Sequence, residues 1–106
     1  MFVTVHNYTI GRGTQVDVGR EAQSFLGEVS SIPGFRAYYM VDTEDSTIAS
    51  VSIFDTRDGI EECDRRAAQF VEAKLGGYRL SEGEFTGGQV LASQVGALPA
   101  TESLPA

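Results

Sequence analysis

Residues 47–75 read TIASVSIFDTRDGIEECDRRAAQFVEAKL, and their periodicity changes part-way along. Thr47 to Phe54 mixes apolar, β-branched and small residues at the two-residue repeat of a strand. Asp55-Thr56-Arg57-Asp58-Gly59 then supplies the polar residues of a turn and a helix N-cap. Beyond it Ile60, Cys63, Ala67, Phe70, Val71 and Leu75 recur at steps of three and four. They form one apolar face of a helix, with Glu61, Glu62, Arg65, Gln69 and Glu72 on the wet side. A strand feeding directly into such a helix needs a sheet on which the helix can lie.

The flanking sequence supplies that sheet. Phe2 to Ile10 reads as a first strand, with Val3, Val5 and Asn7 on one side and Phe2, Thr4, His6 and Tyr8 on the other. Gly11-Arg12-Gly13 ends it. Thr14 followed by Asp17 resembles a capping box with aspartate in place of glutamate, opening a first helix that runs to about Ser30. Val18, Ala22, Phe25, Leu26 and Val29 form its buried stripe. Ile32-Pro33-Gly34 stops the helix. Phe35 to Val41 follows as a strand, joined to Thr47–Phe54 by the polar turn Asp42 to Ser46. Gly76-Gly77-Tyr78 is expected to close the second helix with a glycine C-cap. Ser81-Glu82-Gly83 reads as loop, and Phe85 to Val95 as a last strand with a bulge at Gly87-Gly88.

The order β-α-β-β-α-β predicts an α+β, ferredoxin-like fold: a four-stranded antiparallel sheet with two helices on one face. Residues 1–95 form the single domain, and 96–106 a flexible C-terminal tail. The second and third strands carry apolar side chains on both faces, where a half-wet sheet should alternate cleanly. Nothing in the chain remains to cover the second face. A second copy of the protein would cover it, so a homodimer is expected.

The chain has 106 residues, a formal net charge of −7 and 42% apolar residues. This is enough for one small core. The negative balance disfavours nucleic acid and anionic membrane surfaces as partners. Cys63 is the single cysteine, so no internal disulfide can form and no multi-cysteine metal site is expected. Its place on the apolar helix face reads as that of a small buried hydrophobe. No signal peptide is read at the N-terminus, and no apolar run approaches the roughly 20 residues of a membrane span. The expected location is cytoplasmic.

Pro33-Gly34-Phe35 entering an aromatic strand, and Ser50-Val51-Ser52-Ile53-Phe54-Asp55 entering an acidic helix start, resemble the antibiotic biosynthesis monooxygenase-like domains. These belong to the dimeric α+β barrel superfamily. The resemblance spans about residues 2–95 and implies pairing into a dimeric α+β barrel, with a small-molecule pocket between sheet and helices in each subunit. The superfamily it points to includes cofactor-independent monooxygenases of aromatic or polyketide-like substrates, haem-degrading monooxygenases and many small proteins of no known activity. The haem-degrading branch has an asparagine near the position of Asn7, a histidine ligand on the second helix and a tryptophan beside it. This chain has no tryptophan, and its one histidine is His6 on the first strand. Haem degradation is therefore not expected, and no cofactor is called for. A non-catalytic small-molecule-binding homodimer is the alternative to an oxygenase.

Several residues are candidates for the pocket. Asn7 interrupts an apolar strand face and must be hydrogen-bonded, whether by a backbone group or by a ligand. If it faces the helices, as the resemblance suggests, His6 points into the dimer barrel as a hydrogen-bonded interface residue. Tyr38, Tyr39 and Tyr78 can each offer a phenol and stack on an aromatic ligand, and alternation allows only one of Tyr38 and Tyr39 into a given pocket. Arg66 lies nearest the apolar edge of the second helix and can reach an anionic group. The candidate catalytic residues are thus Asn7, Tyr38 and Arg66, and the ligand-binding set is Asn7, Tyr38, Tyr78 and Arg66. No metal ligands are expected, since a lone histidine without a carboxylate cluster at ligand spacing makes a poor site.

Overall fold

The structure is a computed structural model that describes residues 1–96; the expected tail, apart from Gly96, lies outside the described residues. Four strands, β1 (Phe2–Thr9), β2 (Phe35–Asp42), β3 (Thr47–Phe54) and β4 (Ser81–Gln89), form one antiparallel sheet in the order β2-β3-β1-β4. The crossover from β1 to β2 is α1 (Gln15–Ala22), a 3₁₀ turn and α2 (Leu26–Ser30), following one path where a single helix was expected. The crossover from β3 to β4 is α3 (Arg57–Lys74). This is the βαββαβ architecture anticipated from the sequence.

The helix starts follow their capping residues. Thr14 Oγ1 accepts the Asp17 N–H at 3.2 Å, and Thr56 Oγ1 accepts that of Gly59 at 3.1 Å, each satisfying a donor the helix leaves free. The end of α3 departs from expectation. Neither Gly76 nor Gly77 has positive φ; the chain makes a 3₁₀ turn over Gly76–Tyr78, and Arg79 takes the left-handed conformation at φ 52°. The Tyr78 carbonyl then accepts the N–H groups of Gly11 and Arg12, tying this corner to the end of β1.

The core lies between helices and sheet in two clusters. Phe25, Val29 and Ile32 pack with Phe54, Ile60 and Cys63, while Val18 and Leu75 pack with Ile10 and Ile48. Phe54 is fully buried, which stabilises the fold by about 1.5–3 kcal/mol. Helix α3 presses on it so closely that a Cβ at Gly59 would lie 2.7 Å from Phe54 Cδ2. Cys63 is buried as expected, 3.6 Å from Ser52 Oγ, and burial pushes its thiol pKa up.

The opposite face of the sheet carries the cross-strand rows Val5–Val51–Tyr39 and Val3–Ile53–Ala37. Tyr39 and Val41 are exposed there. Both faces of the central strands are thus apolar, while the helices cover one.

Two details of β4 correct the sequence reading. The strand begins at Ser81 and ends at Gln89, so Ser81-Glu82-Gly83 is strand and the residues from 90 to Val95 are not. The irregularity in its pairing with β1 falls between the partners of His6 and Tyr8, which are Phe85 and Glu82. The bulge is therefore at Gly83 and Glu84, whereas Gly87 and Gly88 stay in register opposite Thr4 and Val3.

Candidate functional site

The helices pack mainly over β2, β3 and β1, leaving a cleft between α3 and the outer strand β4. Its volume is about 720 Å³, within the size range of small-molecule sites. β1 forms the floor with His6 and Tyr8, α3 one wall with Asp64 and Val71, and β4 the other with Glu82 and Phe85. A second groove of about 470 Å³ continues toward the start of α3 and shares Asp64 and Phe85 with the first.

His6 is held from both sides. Its Nε2 lies 3.0 Å from Asp64 Oδ1 and its Nδ1 2.7 Å from Glu82 Oε1. Two carboxylates facing both ring nitrogens favour the protonated imidazolium, which can donate to each of them. The Asp64 hydrogen bond raises its pKa most; burial opposes this, and Glu82 adds to the rise. Asp64 also accepts from the Thr4 hydroxyl at 3.4 Å. The ring of Phe85 lies flat on the imidazole, with centroids 4.9 Å apart and 9° between planes. Tyr8 stands beside it, 6.4 Å between centroids, its phenol pKa raised chiefly by burial.

This placement corrects the sequence reading of β1. The helix-facing set is Thr4, His6 and Tyr8, so His6 does not point into a dimer barrel. Asn7 points to the opposite face, where its Nδ2 donates to the Glu84 carbonyl at 3.2 Å. That bond answers the demand for a partner with a backbone group at the bulge.

The other candidates are dispersed. Tyr38 does face the helices, packed edge-on against Phe25 at 5.9 Å, and burial pushes its pKa up to about 12. It borders a void of only about 20 Å³ beneath the cleft, with Tyr8 and Ser50. Tyr39 is on the exposed face. Tyr78 packs at the far end of α3 against the second core cluster. Arg66 Nε pairs with Glu62 at 3.4 Å on α3 itself. The candidates Asn7, Tyr38, Tyr78 and Arg66 are therefore not brought together. The sequence signal for the cleft lay in the alternation of Phe2, Thr4, His6 and Tyr8, which names the right set once its direction is known.

The described part of the chain superimposes on several solved structures. A candidate antibiotic biosynthesis monooxygenase from Deinococcus radiodurans matches with a TM-score of 0.69 at 9% identity, over 93% of this chain and 100% of that one. SnoaB, a cofactor-independent oxygenase from Streptomyces nogalater, matches at 0.62 and 14% identity, over 87% and 94%. A variant of MhuD with two manganese protoporphyrin IX molecules per active site matches at 0.68 and 13% identity, over 91% and 100%. The fold is that of the antibiotic biosynthesis monooxygenase-like domains. At these identities the likeness is one of fold. No family model matches the chain, and no curated protein is found to match it.

A haem group finds no free histidine ligand in this cleft. Helix α3 carries no histidine, and both nitrogens of His6 are engaged by carboxylates. Among the described residues, no group of three or more His, Cys, Asp or Glu side chains is placed to hold a metal ion. No helix among them is long and apolar enough to cross a membrane.

Proposed function

We propose that the protein is a homodimeric, cofactor-independent oxygenase acting on aromatic, polyketide-like compounds with an acidic C–H or O–H bond. The α3–β4 cleft would be its site. The observation that carries this reading is the clamped His6, an acid flanked by two bases on the floor of an aromatic-walled cleft. A ring ketone entering the cleft would displace the half-exposed Glu82 from Nδ1. The His6 N–H then donates to the ketone oxygen, and the freed carboxylate takes a proton from the neighbouring CH₂. Negative charge moves to that oxygen, where the imidazolium stabilises it.

The resulting carbanion passes one electron to dioxygen. Recombination forms a C–O bond, and protonation gives a hydroperoxide. Loss of water leaves a new carbonyl, with one oxygen atom in the product and one in water. The protein's part is orientation, exclusion of solvent and movement of two protons.

A second reading is a binding protein without turnover. It is favoured by the same clamp, since both imidazole nitrogens are occupied before any ligand arrives. Anthrone, a three-ring ketone with an acidic CH₂, separates the two. The enzyme reading expects oxygen uptake and quinone formation above the protein-free rate, lost by about 100-fold or more in His6→Ala. Saturable anthrone binding without uptake would establish the binding reading instead.

Pairing through the exposed sheet face is supported by its apolar rows, which only a second apolar surface would cover. Sedimentation should give a dimer, and Tyr39→Glu a monomer.

A further inference from the structure

We propose that the cleft takes neutral planar aromatic ligands, binds positively charged ones on the same frame more tightly, and turns away carboxylates and phosphates. The inference rests on the reading of the α3–β4 cleft as the ligand site, and it adds the charge class of the ligand.

The walls contain the carboxylates of Asp64, Glu72 and Glu82 and one imidazole, with no arginine or lysine among the lining residues. Even with His6 protonated, the negative groups outnumber the positive. An anion that displaced Glu82 from the imidazole would only exchange one carboxylate for another, with Asp64 still on Nε2 and the freed Glu82 beside it. On α3, Arg65 and Arg66 both pair with Glu62, and Arg57 lies over the Phe2 ring in the adjoining groove, outside this cleft. An anion would enter against three carboxylates without a free cationic donor to receive it. A cation would meet Glu72 and Glu82 at the cleft wall.

The aromatic requirement comes from Phe85. One face of its ring rests on His6, yet the residue remains 60% exposed. The remaining aromatic surface offers a stacking platform, on which a cationic ring gains from the quadrupole as well as from apolar contact. The cleft itself, at about 720 Å³, has room for several fused rings.

Three fluorescent probes on one three-ring frame test this: 9-aminoacridine (a cation at neutral pH), 9-anthracenemethanol (neutral) and 9-anthracenecarboxylate (an anion). Titrated against the full chain in about 0.1 M salt, the cation should bind about tenfold tighter than the neutral probe and the anion about tenfold weaker. Glu72→Gln and Glu82→Gln should each weaken the cation by about three- to tenfold while leaving the neutral probe within about twofold. Glu28→Gln, an exposed acid on α2 away from the cleft, should change neither. Anion binding as tight as that of the neutral probe would overturn the proposal. So would an equal loss in Glu28→Gln, which would assign the attraction to overall charge. Binding of the neutral probe without the charge ranking overturns the selectivity alone. If none of the three binds, the ligand-site reading of the cleft fails with it.

Discussion

His6 and Asp64 join the second strand in the sheet order from the β4 edge to the helix that crosses it, with Nε2 and Oδ1 3.0 Å apart. The bond does two things at once. It ties α3 to β1, and it raises the pKa of the one histidine, whose other nitrogen is held by Glu82.

The first prediction concerns that pKa. A proton NMR titration of the His6 ring should give a pKa above the ordinary 6.5. Asp64→Asn should lower it more than Glu82→Gln, in the order of their contributions. A ring titrating below its ordinary value in the unaltered protein would mean that burial outweighs both carboxylates.

A linked effect on stability follows. Because the folded protein binds this proton more tightly than the unfolded chain, the stabilisation is complete below the unfolded pKa and fades as pH rises through the folded one. The melting temperature of the unaltered chain should exceed that of His6→Ala by most below the ordinary imidazole value of 6.5, and the gap should narrow as pH rises above it. Parallel curves over that interval would remove the proton from the account.

Asn7→Ala separates the two faces of β1. The side chain makes one bond to the Glu84 carbonyl at an exposed position, so its loss should cost about 0.5–1.5 kcal/mol in chemical denaturation. Binding of any cleft ligand should be unchanged, since Asn7 points away from that side. A tenfold loss of ligand affinity with unchanged stability would return Asn7 to the site.

Gly59→Ala probes the contact of α3 with the sheet. In an ordinary helix alanine is favoured over glycine by roughly 1 kcal/mol. Here the added carbon would lie 2.7 Å from Phe54 Cδ2 and 3.1 Å from Cγ, and Phe54 is fully buried. The net effect should be destabilisation by about 1–3 kcal/mol. A more stable variant would show that α3 can lift away at little cost.

The elements around residues 47–75 were legible because periodicity changed sharply at Asp55, where the polar stretch to Gly59 holds the Thr56 cap. The bounds of β4 were not. Its first residues, Ser81-Glu82-Gly83, have a loop-like composition, and an outer strand exposed throughout gives no apolar alternation to read. The direction of β1 was hidden for a different reason. Val3 and Val5 look like core residues, but the helix side takes Thr4 and His6 because Asp64 on α3 provides polar partners for both. When both faces of a sheet are apolar, composition does not say which one the helices cover. The cleft was missed with it, since its residues come from three separate parts of the chain.

That separation bears on how the protein comes into being. β1 leaves the ribosome first yet sits between β3 and β4, so it must wait for both neighbours. The clamp needs residue 6, residue 64 and residue 82 together. Such distant pairings are slow to close and leave unpaired strand edges exposed meanwhile. A nascent chain released before β4 would have the helices and three strands but only half of the grip on His6. The grip on His6 is therefore complete only once β4 has paired with β1.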